Sequence, residues 1–181
     1  PPSTSGDIRM KVGGAWAGMS GTNAFPFEWY SADMADVDAN TNRINFKGSY
    51  SITSSIEHTL DGATIFQGYT TTAGDGGKAT ITGPGTGSYF NLIKFNAGPD
   101  DTDSTIADFI IENNGDTGST TSTHGLWINS GGCNALRVLV RNIGGHGILH
   151  QGRGVLVSCE AYNCNLANNA NQAGIAFASS G

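Results

Sequence analysis

Charge is scarce in this sequence. Asp, Glu, Lys and Arg together make up 13% of its 181 residues, and the nine Lys and Arg form no cluster. Nucleic-acid affinity comes largely from grouped cations, so a formal net charge of −6 and a pI near 4.9 argue against nucleic acid as a partner. Cysteine is scarce too: Cys133, Cys159 and Cys164 are an odd number without a CxxC pair. Even joined by His146 or His150 they match no standard zinc spacing, and buried apolar thiols are the expected state. No metal and no cofactor is expected. An apolar run of membrane-spanning length is missing, as is a charged-then-apolar secretion signal at the start. The expectation is a product made in the cytoplasm, with no membrane partner. From residue 43 onward helical periodicity is almost missing as well.

What is present is β-forming. Glycine numbers 27 and hydrophobic residues reach 38%, with polarity carried by Ser, Thr, Asn and Gly. That suits an all-β fold with many turns better than a disordered chain. The sequence divides near residue 42. In residues 1–42, Ile8, Met10 and Val12 alternate with charged or polar residues before Gly13-Gly14, a pair able to take the positive φ of a tight turn. "DIRMKVGGAW", ending on Trp16, therefore reads as a β-hairpin. A lone hairpin buries little surface, so something must cover it. Beyond the linker "AGMSGTN", Phe25, Phe27, Trp29 and Tyr30 place four aromatics in six positions, more than a free linker needs. They are expected to pack against a partner. Asp33, Asp36 and Asp38 have the look of a calcium loop but lack the central Gly and terminal Glu of an EF-hand, and a solvated turn is expected.

Residues 43–181 repeat. "IKFN" (93–96), "LWIN" (126–129), "ILHQ" (148–151) and "IAFA" (175–178) align at steps of 33, 22 and 27 residues, three of them preceded by Gly125, Gly147 or Gly174. Between them lie "FIIENN" (109–114), "VLVRNI" (138–143) and "CEAYNC" (159–164), at steps of 29 and 21. Two alternating strand families at solenoid-like intervals describe the coils of a parallel β-helix, about five in number. Alternation assigns directions. In the first family Ile93, Leu126, Ile148 and Ile175 point inward with Phe95, Ile128, His150 and Phe177. Lys94, Trp127, Leu149 and Ala176 point outward with Asn96, Asn129, Gln151 and Ala178. In the second, Phe109, Val138 and Cys159 are inward with Ile111, Val140 and Ala161. Asn113, Asn142 and Asn163 then stack at one corner, each amide bonding the next coil.

These features carry a resemblance. Residues 43–181 are similar to a right-handed parallel β-helix of the pectate-lyase-like type: "RINFKGSYSITSSIEHTLDGATIFQG" resembles that family's entry coil, and an asparagine corner is familiar in it. "IRMKVGGAW" and "FEWYSADMADVDANTNRINFKG" resemble short segments near the beginnings of bacteriophage tail fibres, tailspikes and related virion proteins. The resemblance implies a virion structural protein, located in the virion, with host-surface polysaccharide as a partner. It implies a homotrimer, with residues 1–42 as the attachment or trimer-forming segment that meets neighbouring virion proteins and whose hairpin and aromatics are covered by neighbouring chains. The Gly-Asp-rich segment through which tailspikes often enter the helix is absent, which counts against an enzymatic tailspike. "GIAFASSG" stops on a helix strand, so apolar side chains are expected to be exposed there unless another subunit meets them.

An enzyme of this architecture, a polysaccharide lyase or glycoside hydrolase, is the competing class. It needs paired carboxylates, or a base with Lys or Arg, converging in a groove. The best constellation is Glu112, Arg141 and Tyr162 in successive coils with Glu160 nearby, and an ordinary exposed Glu–Arg pair is the favoured reading of it. "PDDTD" (99–103) reads as a solvated turn. His124 and His146 read as turn or capping residues, and His150 as a hydrogen-bonded core histidine. For binding, the outward row Lys94, Trp127 and Leu149, flanked by Asn96, Asn129 and Gln151, offers an indole face for a sugar ring and amides for its hydroxyls. Burial of Trp127 and Leu149 between subunits is the equally physical alternative.

Overall fold

The computed structural model describes residues 8–12, 15–18, 41–53, 55–59, 63–71, 75–85, 91–96, 104–114, 123–129, 132–168, 170–171 and 173–178. Among these there is no helix. A pair of strands, β1 (Ile8–Val12) and β2 (Ala15–Gly18), precedes five stacked coils of three strands each. The first coil holds β3 (Thr41–Lys47), β4 (Ser49–Ser51) and β5 (Ile56–Thr59). The second holds β6 (Ile65–Tyr69), β7 (Ala79–Thr82) and β8 (Ile93–Asn96), and the third β9 (Ser104–Ala107), β10 (Phe109–Glu112) and β11 (Leu126–Asn129). The fourth holds β12 (Cys133–Leu136), β13 (Leu139–Ile143) and β14 (Ile148–His150), and the fifth β15 (Leu156–Val157), β16 (Glu160–Cys164) and β17 (Ile175–Phe177).

Equivalent strands of successive coils pair in parallel. The first sheet runs β15-β12-β9-β6-β3, the second β16-β13-β10-β7-β4 and the third β17-β14-β11-β8-β5. The two strand families read from the sequence are the second and third sheets, in the expected registers: Ile111 faces Val140, which faces Ala161, and Ile93, Leu126, Ile148 and Ile175 form one column. The first sheet is a third family that alternation did not reveal. The antiparallel pair expected near the start is β1 with β2, and β1 also pairs antiparallel with β3, Met10 opposite Ile44, so that the two strands extend the first sheet. Trp16 lies in β2 opposite Lys11. Phe25, Phe27, Trp29, Tyr30, the aspartates at 33, 36 and 38 and the 99–103 stretch fall outside the described residues.

Inward side chains of all three sheets make one core. Ile44, Ile81, Ile106, Ile111, Leu126, Ile128, Val140 and Ile148 are buried, and Phe46 and Phe66 meet Phe109 and Phe95 at ring centroid distances of 5.2 and 5.0 Å. An apolar cavity of about 20 Å³ remains among Phe46, Phe66, Phe95 and their neighbours. Glycine before the third-sheet strands has a packing reason. A Cβ on Gly147 would lie 2.5 Å from the Gly174 carbonyl oxygen and 2.7 Å from Cys164 Sγ, and one on Gly125 2.2 Å from Val140 Cγ1. In the fifth coil Ile175 and Phe177 remain exposed, at 36% and 72%.

The corner between the first and second sheets turns on one residue with positive φ in four coils: Gly48, Asp108, Arg137 and Ser158. Such backbone is unfavourable for L-residues other than glycine, and at Asp108 and Arg137 it accompanies an ion pair. Arg137 Nε and an Nη donate to the two oxygens of Asp108, each at 2.7 Å, and Gln67 Nε2 donates to the same carboxylate. Asp108 is 1% exposed. Burial alone would raise its pKa, but the bonds from Arg137 and Gln67 outweigh it and hold the carboxyl below its usual value.

The next corner carries the asparagine ladder, with its third-coil member one residue on, at Asn114 rather than Asn113. Asn163 Nδ2 donates to Asn142 Oδ1 at 2.8 Å, and Asn142 Nδ2 donates to Asn114 Oδ1 at 2.8 Å. Asn113, in register with Asn142, instead turns inward, accepting from Gly85 N at 2.8 Å and donating to Gly85 O at 3.0 Å. The backbone explains the shift: Asn142 and Asn163 sit at φ of 57° and 50°, whereas Asn113 is not among the residues with positive φ. The ladder therefore runs along the outside of the corner, with Asn163 exposed.

Candidate functional site

Parallel pairing at about 4.8 Å per coil converts the sequence repeat into columns on the outer face of the third sheet. Glu57, Lys94, Trp127, Leu149 and Ala176 share one column; Asn96 and Asn129 stand beside it, continued by Gln151 just beyond β14. The structure brings the expected binding residues together. Lys94 Nζ lies 4.6 Å from the Trp127 ring centroid, a cation–π contact, and 3.9 Å from Glu57 Oε2. The indole Nε1–H donates to Gln151 Oε1 at 2.6 Å, which fixes the ring's rotation, and Asn129 Nδ2 donates to Asn96 Oδ1 at 3.3 Å. These bonds leave Gln151 Nε2 and Asn129 Oδ1, a donor and an acceptor, beside a half-buried aromatic ring. Leu149 departs from expectation. It is on the outward column but only 8% exposed, so it does not extend the accessible apolar face.

One histidine meets the indole, and a second meets the first. His124 meets Trp127 edge-on at 5.7 Å between centroids, and His146 lies 5.0 Å from His124. Each performs the capping role expected of it. His124 Nδ1 accepts from the His146 backbone N–H at 3.1 Å, and His146 Nδ1 accepts from that of Ala173 at 3.0 Å. Burial, and then the neighbouring His146, push His124 down to about 4; burial lowers His146 as well. Sequence reasoning placed these histidines at strand entries but missed the contact of His124 with Trp127, because it depends on a ring orientation that spacing does not encode. Glu57 was missed although "IEHT" carries the same alternation as "IKFN".

The acidic constellation on the second sheet has a different character. Glu112 is only 6% exposed. Arg141 Nε and Nη2 approach Glu112 Oε2 at 2.7 and 2.6 Å, while Thr82 Oγ1 and Asn114 Nδ2 donate to Oε1 at 3.1 and 2.7 Å. The expectation of an exposed pair is corrected: the carboxylate is sealed beneath Arg141 and, through Asn114, joined to the asparagine ladder. Tyr162, 69% exposed, continues the column in register with Arg141. Glu160 is exposed but in register with Leu139. It stands two coils and two residues from Glu112, about 12 Å between Cα atoms by strand geometry.

The inward groups are core groups. His150 is 4% exposed, stacks on Phe177 at 5.6 Å and is lowered in pKa by burial, against hydrogen bonds to the backbone at Cys133 and at its own residue; its Nε2 has no partner. Cys133 is buried, and burial pushes its thiol up to about 12; Cys159 and Cys164 are half-buried against the core, with Cys164 raised to about 11. All three are free thiols. Among the described residues no group of three or more His, Cys, Asp or Glu could hold a metal ion. Comparison with protein-family models, curated proteins and solved structures gives no match.

Proposed function

We propose that this chain is a non-catalytic β-helix module of a bacteriophage virion protein, a tail fibre, tailspike or decoration protein, that attaches to host-surface glycan through the outer face of its third sheet. The observation that carries the binding reading is the Trp127 indole, fixed through Nε1 by Gln151 and flanked by amide groups with free donor and acceptor positions. An immobilised aromatic face with adjacent amides suits a pyranose ring, whose axial hydrogens stack while its hydroxyls bond sideways. The phage reading rests on the resemblance of the N-terminal segments, as do the trimer and the attachment of residues 1–42 to other virion proteins. The right-handed sense of the helix is supported by the strong preference of parallel crossovers for that hand. A carboxylate already engaged by Arg141, Thr82 and Asn114 supports binding over cleavage. The test incubates purified protein with host-surface polysaccharides and measures both retention and chain length. Retention without shortening is expected; sustained shortening, abolished by Glu112→Gln or Glu160→Gln, would instead make the protein a lyase or hydrolase.

A further inference from the structure

The column that precedes the third-sheet strands contains Asn91, His124, His146 and Ala173 at equivalent positions, as the backbone bonds between neighbouring coils show: Leu92 N to His124 O, Gly125 N to His146 O and Gly147 N to Ala173 O. Within it each imidazole uses Nδ1 as an acceptor for the backbone N–H of the coil above. A ring that accepts at Nδ1 carries its single proton on Nε2, and it loses that acceptor when it takes a second proton. The two rings are 5.0 Å apart, so double protonation also sets like charges against each other. Neither has a carboxylate within ion-pair range among the described residues, and so nothing there offsets that charge. The same His124 ring is the edge against which Trp127 rests.

We propose that the His124–His146 column is an acid-operated release for the Trp127 binding face: acidification removes both Nδ1 acceptors, loosens the third, fourth and fifth coils at this corner and frees the indole from the orientation in which it stacks on sugar. The proposal rests on the glycan reading for its consequence and on the hydrogen bonds alone for its mechanism. The groups facing the indole are Lys94 from β8, paired with Glu57 from β5, on the ring face, and the uncharged Gln151 beyond β14 at Nε1. Release acts through the two imidazole acceptors, which hold the His146 and Ala173 backbone N–H groups. Both are held below the ordinary histidine value of 6.5 in the folded chain. The latch is thus complete above that pH and is lost as pH falls toward the folded values, about 4 for His124.

The experiment uses the full chain and an asparagine variant, His124→Asn with His146→Asn, since asparagine already occupies this column in the second coil at Asn91 and cannot titrate. Imidazole nitrogen shifts, exchange protection of the His146 and Ala173 amides and the Trp127 Nε1–H signal are followed from about pH 7 to about pH 4. In parallel, an array of purified bacterial surface polysaccharides is probed at both limits. Expected are Nε2–H tautomers at neutral pH, loss of protection at both amides together with movement of the indole signal on acidification, and a fall of roughly tenfold in array affinity. The asparagine variant should show none of these changes. Protection retained at both amides through the titration, or lost equally in the variant, overturns the release. An array without binding at any pH overturns the glycan reading alone, because the amide and indole signals still decide the mechanism.

Discussion

Asn142 is where backbone conformation and side-chain bonding coincide, so its replacement separates their contributions. Its side chain donates to Asn114 and accepts from Asn163, both at 2.8 Å, from a backbone at φ 57°. A hydrogen bond of this kind contributes about 1 kcal/mol net, and less toward the exposed Asn163 end. Asn142→Gly keeps the backbone without strain and should cost about 1–2 kcal/mol from the two lost bonds. Asn142→Leu loses the same bonds and forces a bulky residue into left-handed backbone, adding about 1–2 kcal/mol. Asn129→Leu removes one 3.3 Å bond from an ordinary strand position, for less than about 1 kcal/mol. Calorimetric melting checks the order, since a domain of this size shifts by about 2–4 °C per kcal/mol. Equal melting of the Leu and Gly variants at position 142, or an Asn129→Leu variant as damaged as Asn142→Leu, would rule out separate backbone and side-chain contributions at Asn142.

Arg137→Ala strands the buried Asp108 carboxylate and should destabilise by about 1–3 kcal/mol, discounted because the arginine itself is half exposed. Because the folded Asp108 pKa is depressed, the pair's contribution is present above the unfolded value of 3.8 and lost as pH falls below it; stability against pH measured for both proteins should therefore converge in acid. Gly147→Ala drives a methyl group toward a backbone oxygen and a sulfur and should cost about 1–3 kcal/mol or more in urea unfolding, with no loss if the column is loosely packed. Glu112→Gln should lower the melting temperature measurably, by the equivalent of about 1–3 kcal/mol, because it weakens a charge-assisted bond to Arg141 at a buried position.

The sequence made the second and third sheets legible because their inward positions are large and apolar at strict period two: Phe109 and Ile111, Val138 and Val140, Leu126 and Ile128. The first sheet had no such signature. Its inward column includes Ser104, Cys133 and Ala135, while Gln67 and Ala107, on the outward side, are buried as well, so burial there does not alternate with polarity. The αL corner that pins this sheet was hidden for the same reason, since Asp108 and Arg137 align only once β9 and β12 are paired. At the candidate site, column membership followed from register, and Lys94, Trp127, Asn129 and Gln151 were found where alternation put them. What alternation could not supply was depth: it placed Leu149 and Glu112 on outer faces, where neighbouring side chains nonetheless cover them. Asn113 failed as a rung because ladders depend on φ, and two adjacent asparagines offer two equally readable registers.

The proposed binding of glycan at the Trp127 face has a direct spectroscopic readout. The most direct measurement titrates the protein with the polysaccharide it retains best and follows the indole Nε1–H of Trp127 and the side-chain amides of Asn96, Asn129 and Gln151 by nuclear magnetic resonance, with the Arg141 Nε–H as a reference on the other sheet. Expected are saturable shifts at Trp127, Asn129 and Gln151, no shift at Arg141, and their loss in a folded Trp127→Ala variant, which removes the ring that does the stacking. Shifts centred on Arg141 and Tyr162, or binding that survives Trp127→Ala unchanged, would contradict the proposed binding.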